Sequence, residues 1–275
     1  SSTGEALAKA LPSGESSKSR PGSSRTDITG QCNIGLTPKQ KEIYESIAVS
    51  EKRSHLIFGI TGSGKTEIYI ETARDAIKEG KSVIYLVPEI GLSTQIHERL
   101  YKVFGDNLIL YHSNLTRNQR LANWKKFYKG QAMIVVGTRS AVFLQCPKLG
   151  LIIIDEEHDS SYKEQSSPRY NARRIAFHRS VTENAHLILG SATPSVETLY
   201  AAENGIIELH TLNERYGESR LPEIEIVKMT KPDETISSRL KLFTNRAVKD
   251  GRQAIYLLNR RGFAPFVLCE ECGTP

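Results

Sequence analysis

Short, continuous runs of apolar residues alternate along this chain with longer segments in which apolar positions recur every three or four residues. A continuous apolar run indicates a strand buried on both faces of a sheet, whereas the wider spacing indicates an amphipathic helix. The predicted strands are 54–58, 83–87, 108–111, 132–136, 151–154 and 186–189, and the predicted helices begin at residue 38 and cover 67–78, 93–104, 117–129, 172–181 and 195–203. Strand–helix alternation of this kind predicts an α/β fold, a doubly wound parallel sheet with helices on both faces.

The pattern changes at both ends of the chain. Residues 1–35 are rich in Ser, Gly and Pro, which predicts a flexible linker or a disordered arm. Residues 36–212 hold the α/β domain, and residues 213–275 begin with a polar connection followed by a predicted helix at 237–249 and a predicted strand at 253–258. We expect this last segment to be the truncated start of a second domain, and the chain to be a piece of a larger protein.

Composition narrows the class of protein only slightly. The net charge of +6 and the pI near 9.0 suit a nucleic-acid partner, although a modest excess of basic residues is also common elsewhere. No apolar run has the length of about 20 residues that a membrane-spanning helix needs. The 4 cysteines are too few for a disulfide scaffold, so we expect a cytoplasmic protein without a membrane partner.

A glycine-rich segment follows the first predicted strand and precedes a predicted helix. It matches G-x-x-x-x-G-K-[ST] at every fixed position, in the strand–loop–helix context where this pattern binds phosphate. A glycine-rich turn without a ligand is the weaker alternative. Backbone N–H groups and the lysine would hold the phosphates of ATP, and the threonine hydroxyl would bind Mg²⁺. The predicted cofactor-binding residues are Gly59, Thr61, Gly62, Ser63, Gly64, Lys65 and Thr66.

Acidic residues follow the predicted strand at 151–154. Asp155 is predicted to hold Mg²⁺ beside Thr66, and Glu156 to orient or deprotonate an attacking water. By itself an acidic cluster after a strand is more often a solvated turn, but its place downstream of a phosphate loop favours an ATPase. Lys65 and His158 complete the predicted catalytic set.

Polar segments also lie at the ends of other predicted elements. Thr138 and Arg139 follow one strand and suit a nucleic-acid backbone, while Ser191 and Thr193 follow another and place hydroxyls beside the acidic motif. An ordinary loop is the alternative for each. Gln40 enters the helix before the phosphate loop, where its amide could read adenine or simply face solvent.

Taken together, these segments resemble the bacterial replication-restart helicases of the DExH branch of superfamily 2. The resemblance includes the segments 87–92, 155–163, 190–194 and 258–265, and covers the chain from about residue 36 to its end. It implies a RecA-like P-loop NTPase lobe, the start of a second such lobe, and Gln40 as the adenine reader. The implied activity is ATP-dependent 3′→5′ DNA unwinding in replication restart and primosome assembly. The implied partners are single-stranded and forked DNA, primosome proteins and single-stranded DNA-binding protein, at the bacterial nucleoid.

The resemblance also implies two features that the motifs above do not contain. Tyr162, Arg169 and Tyr170 would form a sensor of single-stranded DNA, since tyrosine rings stack on any base; packing against the lobe is the alternative for the tyrosines. Cys269 and Cys272 have the C-x₂-C spacing of half a Zn²⁺ site, and we expect zinc only in the full-length protein. Because no arginine finger is found, we expect slow ATP hydrolysis by the chain alone.

Two other functions stay open at this point. A double-strand DNA translocase of a restriction or remodelling system would share the motor but should lack the tyrosine loop and the half zinc site. A nucleotide-regulated DNA-binding module that loads partner proteins would have no use for Glu156, so the intact acidic pair argues against it.

Overall fold

Seven strands form the sheet that organises the first part of the molecule. The computed structural model describes residues 35–88, 98–213, 223–229 and 236–257. The chain divides into two units, residues 1–219 and 220–275, and the sheet belongs to the first.

The sheet is parallel throughout. Its strands are β1 (Ser54–Gly59), β2 (Ser82–Leu86), β3 (Leu108–Tyr111), β4 (Ile134–Gly137), β5 (Leu149–Ile154), β8 (His186–Ser191) and β9 (Glu208–Leu212). Their order is β3-β4-β2-β5-β8-β1-β9, and every pairing is parallel. β6 (Lys163–Glu164) and β7 (Tyr170–Asn171) form a separate antiparallel hairpin. Because β5, β8 and β1 are neighbours, the loops that follow them open at one edge of the sheet.

Six helices accompany the sheet in the described part of this unit. They are α1 (Pro38–Val49), α2 (Lys65–Lys78), α3 (residues 98–104), α4 (Arg117–Tyr128), α5 (Ala172–Thr182) and α6 (Val196–Glu203). Thr37 and Thr116 cap α1 and α4 with capping boxes, in which the side chain accepts from a backbone N–H and a glutamine three residues on returns the contact. Such caps satisfy N–H groups that have no partner inside the helix.

Hydrophobic cores lie on both faces of the sheet. Ile152 belongs to one core cluster and its neighbour Ile153 to the other, as the alternation of side chains along a strand requires. Leu56 and Ile57 of β1 divide in the same way. Covered on both faces, the sheet confirms the predicted doubly wound RecA-like α/β domain.

Three strands were not predicted from the sequence. β9 lies at the edge of the sheet and mixes polar with apolar residues, so it lacks the continuous apolar run of the inner strands. β6 and β7 have two residues each, which is too short for a periodic signal. Of the helix predicted at 93–104, residues 98–104 are described and helical.

The described residues of the second unit contain one helix, α7 (Ser238–Lys249). Arg239 pairs with Glu225 at 2.9 Å and lies over the Phe243 ring. The strand predicted at 253–258 is wrong for residues 253–257, which have no regular structure. Ile255 and Leu257 are each 95% exposed, and a strand without a neighbour has no stable form in water.

Some predicted features lie outside the described residues. These are the arm at 1–34, residues 89–92 and 258–265 of the segments that carry the resemblance, most of the polar connection after residue 213, and the half zinc site of Cys269 and Cys272. Within the described ranges, no helix is both long and apolar enough to cross a membrane.

Candidate active site

The phosphate loop between β1 and α2 has a backbone that only glycine adopts readily. Gly62 and Gly64 have positive φ angles of 79° and 83°, the left-handed region that side chains disfavour. A Cβ atom at Gly64 would lie 2.1 Å from Gln40 Nε2, so a side chain there would displace the Gln40 amide as well as strain the backbone. The loop therefore keeps its backbone uncovered at the start of α2, where N–H groups and the helix dipole favour an anion.

Two buried polar groups of this loop suit a phosphate. Lys65 is only 7% exposed, and its ammonium donates to the Gly59 carbonyl oxygen at 2.8 Å. The Ser63 hydroxyl is buried and has no hydrogen-bond partner among the described residues. A buried cation held by a single carbonyl and a buried hydroxyl without a partner both gain from an anionic ligand. The residues present therefore fit a triphosphate.

Gln40 contacts the phosphate loop rather than solvent. It is 1% exposed, and its Nε2 donates to the carbonyl oxygens of Ser63 at 3.1 Å and Gly64 at 3.2 Å. Its Oε1 accepts from the Thr37 N–H at 2.8 Å. In this conformation one end of the amide caps α1 and the other holds the helix against the loop, so reading adenine requires the amide to turn. The adenine contact stays a prediction.

Asp155 lies at the end of β5, close to the phosphate loop. Its carboxylate is contacted by the hydroxyls of Tyr69 and Tyr85, each at 3.4 Å. Burial, followed by the charge of Glu156, raises the pKa of Asp155 to about 6, while the Lys65 ammonium acts in the opposite direction. A carboxylate that is costly to ionise gains from a nearby cation. The oxygen donors of Asp155 and Thr66 are of the kind that Mg²⁺ prefers.

Glu156 adopts an unusual backbone conformation for a residue with a side chain. Its φ angle is 45°, and such strain is often found at functional sites. Its N–H donates to the Asp155 carboxylate at 3.1 Å, and its own carboxylate is 34% exposed and lies 3.7 Å from His158 Nδ1. Glu156 is therefore held beside Asp155 with a carboxylate that water can reach.

A contact between His158 and Ser191 joins two of the predicted motifs. His158 Nδ1 lies 2.7 Å from the Ser191 hydroxyl, which also accepts from the Thr193 N–H at 3.0 Å. Gly190, beside Ser191, leaves room for the Tyr69 hydroxyl, because a Cβ atom there would lie 1.5 Å from it. The acidic motif after β5 and the Ser-Ala-Thr segment after β8 therefore form one hydrogen-bonded group.

Sequence reasoning gave no role to Glu157, which is fully buried. Its carboxylate accepts from the Ser195 N–H at 2.6 Å, the Thr198 hydroxyl at 3.0 Å and the Arg173 guanidinium at 2.9 Å. These partners lie at the starts of α6 and α5, so Glu157 fastens both helices to the acidic motif. Tyr69 and Tyr85 were missed as well. Tyr69 could have been found from its position, since it lies four residues after Lys65 and therefore on the same face of α2.

Tyr162 is a packing residue in this structure, which corrects its predicted place in a base-stacking loop. The ring is 1% exposed, and its hydroxyl donates to the backbone carbonyls of Asp155 at 2.6 Å and Leu86 at 3.1 Å. A ring enclosed in this way offers no face to a base.

Arg139 is engaged inside the lobe. Its guanidinium donates to the Ser161 carbonyl oxygen at 2.9 Å and to the Glu164 carboxylate at 2.7 Å, while the Thr138 N–H donates to the Tyr111 carbonyl oxygen. The segment after β4 is thus tied to the hairpin that follows the acidic motif. A phosphate contact by Arg139 stays a prediction and requires the ion pair to open.

Arg169 and Tyr170 line a cleft of about 980 Å³ between the β6–β7 hairpin and α5. Lys163, Arg174 and His178 line the same cleft. Arg169 is exposed, while the Tyr170 ring is partly buried, edge-on to Phe143 at 4.9 Å between centroids. The cleft combines positive charge with an aromatic ring, the combination that binds single strands.

The fold and the site together define a nucleoside-triphosphatase domain. One strand of a parallel sheet leads into a phosphate loop and another into an Asp-Glu pair, and the strand between them carries the Ser191 hydroxyl. Comparison with known families gives the same class in a narrower form. The chain belongs to the DEAD/DEAH box helicase family, which matches residues 37–202.

Curated relatives confirm the likeness to replication-restart helicases. Over 98% of its length the chain is 38% identical to the replication restart protein PriA of Treponema pallidum, and over 79% it is 44% identical to that of Haemophilus influenzae. It spans only 41% and 30% of those two proteins. The structure of RecG bound to a three-way DNA junction shares the fold, with a TM-score of 0.53 and 20% identity over 90% of this chain and 30% of that one.

Proposed function

We propose that this chain supplies the ATP-binding lobe of an ATP-dependent 3′→5′ DNA helicase that acts in replication restart and primosome assembly. The observation that carries the proposal is the 2.7 Å contact between His158 and Ser191. It connects the acidic motif after β5 to the Ser-Ala-Thr segment after β8. The similarity to PriA proteins supports the role in replication restart. The structure of RecG bound to DNA supports a DNA substrate only through the fold that it shares with this chain.

Mg·ATP, when bound, supplies the phosphoanhydride bond that is broken. Its Mg²⁺ neutralises the negative charge that develops on the phosphates. Lys65 leaves the Gly59 carbonyl to hold the phosphates, and Thr66 and Asp155 hold the cation. The Glu156 carboxylate orients a water molecule and accepts its proton. His158 lies beside Glu156 and contacts Ser191. A shift of the Glu156 carboxylate is therefore passed through His158 to the Ser-Ala-Thr segment.

DNA is expected to bind away from these groups. Arg169 and Tyr170 are the exposed and partly exposed members of the predicted sensor, and their cleft suits a single strand. Thr138 and Arg139 are proposed contacts to the DNA backbone, while Thr193 belongs with Ser191 to the coupling segment. Primosome proteins, single-stranded DNA-binding protein, and zinc at Cys269 and Cys272 belong to the proposal by resemblance alone.

Strand displacement by the full-length protein tests this function. We expect ATP-dependent release from duplexes with a 3′ single-stranded tail and none from those with a 5′ tail. Glu156→Gln should lower ATP hydrolysis about 100-fold or more without weakening ATP binding, whereas Glu203→Gln, an exposed control on α6, should change neither.

Ser191→Ala tests the coupling itself. Loss of the hydroxyl should lower the number of strands displaced per ATP hydrolysed. Nucleotide binding without DNA-stimulated hydrolysis would instead favour a loading module, and stimulation by duplex DNA without strand release would favour a translocase.

A further inference from the structure

Two histidines and a glutamate meet at the edge of the sheet opposite the phosphate loop. His55 is the second residue of β1, whereas Gly59 ends the same strand at the nucleotide site. On β9, Glu208 pairs in register with His55, and His210 pairs with Ile57. Since side chains two apart on a strand share a face, all three lie on one face of the sheet.

The ligand atoms of these side chains have the spacing of a metal site. His55 Nδ1 lies 3.2 Å from His210 Nε2 and 3.7 Å from Glu208 Oε2, and all three atoms lie within 4.8 Å of one another. Zinc binds nitrogen and carboxylate oxygen at about 2.0–2.2 Å in a tetrahedron, which places any two ligands roughly 3.4 Å apart. A zinc ion between the three side chains therefore needs only small shifts of their ends.

The environment keeps each group in the form that binds a metal. His55 and His210 are 0% and 7% exposed, and burial lowers the pKa of both rings, so that they are neutral at neutral pH. The Ser50 hydroxyl, which donates to Glu208, lowers the pKa of that carboxyl. Neutral imidazole and ionised carboxylate are the ligand forms required.

A second layer of contacts holds the carboxylate in place. Ser50, at the end of α1, donates to Glu208 Oε2, and Ser46 on the same helix lies 3.4 Å from Oε1. Hydrogen bonds of this kind orient metal ligands and are part of a working site. The cluster thus joins α1, β1 and β9, and α1 also carries Gln40 at the phosphate loop.

We propose that His55, Glu208 and His210 form a zinc site in which water takes the fourth position. Two imidazoles with one carboxylate favour zinc over magnesium or calcium, which prefer oxygen ligands. The site is structural: it fixes the edge strand β9 and the end of α1 to β1. Its ligands differ from those predicted for zinc at Cys269 and Cys272 and for Mg²⁺ at Thr66 and Asp155.

Zinc titration of the 275-residue chain tests the proposal. In the parent protein all four cysteines are replaced by serine (Cys32→Ser, Cys146→Ser, Cys269→Ser and Cys272→Ser). It is treated with chelator and is free of nucleotide, so that thiolates and phosphates cannot bind the metal. Calorimetry should then give one zinc ion per chain. Cobalt in place of zinc should show the strong visible bands of tetrahedral coordination without a thiolate charge-transfer band.

Variants of the ligands decide the outcome. His210→Ala and Glu208→Gln should each weaken zinc binding at least a hundredfold, since even a second-layer change costs about 10–100-fold. His178→Ala, an exposed histidine on α5, should bind as the parent does. Zinc should raise the Tm of the parent and of His178→Ala but not of the ligand variants. Equal zinc affinity in the parent and Glu208→Gln, whose shape and fold are conserved, overturns the proposal even if His210→Ala does not fold.

Discussion

Strand β1 has a group of functional side chains near each of its ends, and the two groups are held in different ways. At the carboxyl edge of the sheet the active groups lie on loops or at the ends of helices and strands, and the strained Glu156 has a side chain that is 34% exposed. At the amino end, His55 and His210 lie within strands and are almost fully buried. Loops allow a site to exchange ligands and change shape, whereas side chains fixed in strands suit a permanent contact. The first edge is built for turnover and the second for stability.

The largest expected effect concerns how rigidly the catalytic edge is held. Glu157→Ala leaves the Arg173 guanidinium and the Ser195 and Thr198 groups without their buried acceptor. Removing one partner of a buried pair costs about 3–5 kcal/mol. Urea denaturation should show that loss. Glu42→Ala, which removes an exposed pair with Lys39, should leave the midpoint unchanged, and an equally small effect of Glu157→Ala would mean that the edge is not fastened by this residue.

A smaller effect should come from the other edge as the pH falls. In the metal-free protein, burial and the neighbouring His210 and His186 lower the pKa of His55 from 6.5 to about 4, against the opposing charge of Glu208. Between these values the unfolded chain binds a proton that the folded chain does not, so stability falls as the pH decreases. From pH 7 to pH 5 the loss from His55 is about 2 kcal/mol.

Urea denaturation with chelator at the two pH values measures this loss. His55→Phe removes the titrating group, so its stability should depend on pH less than that of the wild type. The same pH dependence in both proteins would show that His55 is not the group responsible.

The smallest expected effect separates two tyrosines near the catalytic edge. Tyr162→Phe removes the hydroxyl that donates to two backbone carbonyls, which should lower stability by about 0.5–1.5 kcal/mol. Tyr170→Phe should leave stability unchanged, while Tyr170→Ala in the full-length protein should depress DNA-stimulated hydrolysis more than basal hydrolysis. If Tyr170→Ala lowers both rates equally, Tyr170 is a packing residue too.

Local sequence patterns were sufficient to predict the groups at the carboxyl edge of the sheet, but not the histidine cluster at the opposite edge. The phosphate loop and Asp155–Glu156 are short segments whose glycine spacing and preceding apolar strand are visible in the chain itself. The contacts of Gln40, Glu157 and the histidine cluster depend on which distant strands become neighbours. His55 and His210 are 155 positions apart, and β9 carried no apolar run to reveal the strand that brings them together.

The strand predicted at 253–258 failed for a related reason. Its apolar residues have the right local composition, but Ile255 and Leu257 find no partner strand in the described residues of their unit. Tyr162 shows the converse, because its aromatic ring was read as a surface group and is instead enclosed by the lobe. In both cases burial, which depends on the tertiary structure, decided the outcome.

Calorimetric titration of Mg·ATP into the 275-residue chain most directly tests the central claim that Gly59–Thr66 and Asp155 form a nucleotide site. We predict a single site in the wild type and binding more than tenfold weaker in Lys65→Ala, a loss of about 1.4 kcal/mol or more, because a charge-assisted contact to the phosphates is removed. Lys163→Ala, an exposed lysine on β6, should bind as the wild type does. Equal affinity in the wild type and Lys65→Ala would contradict the assignment.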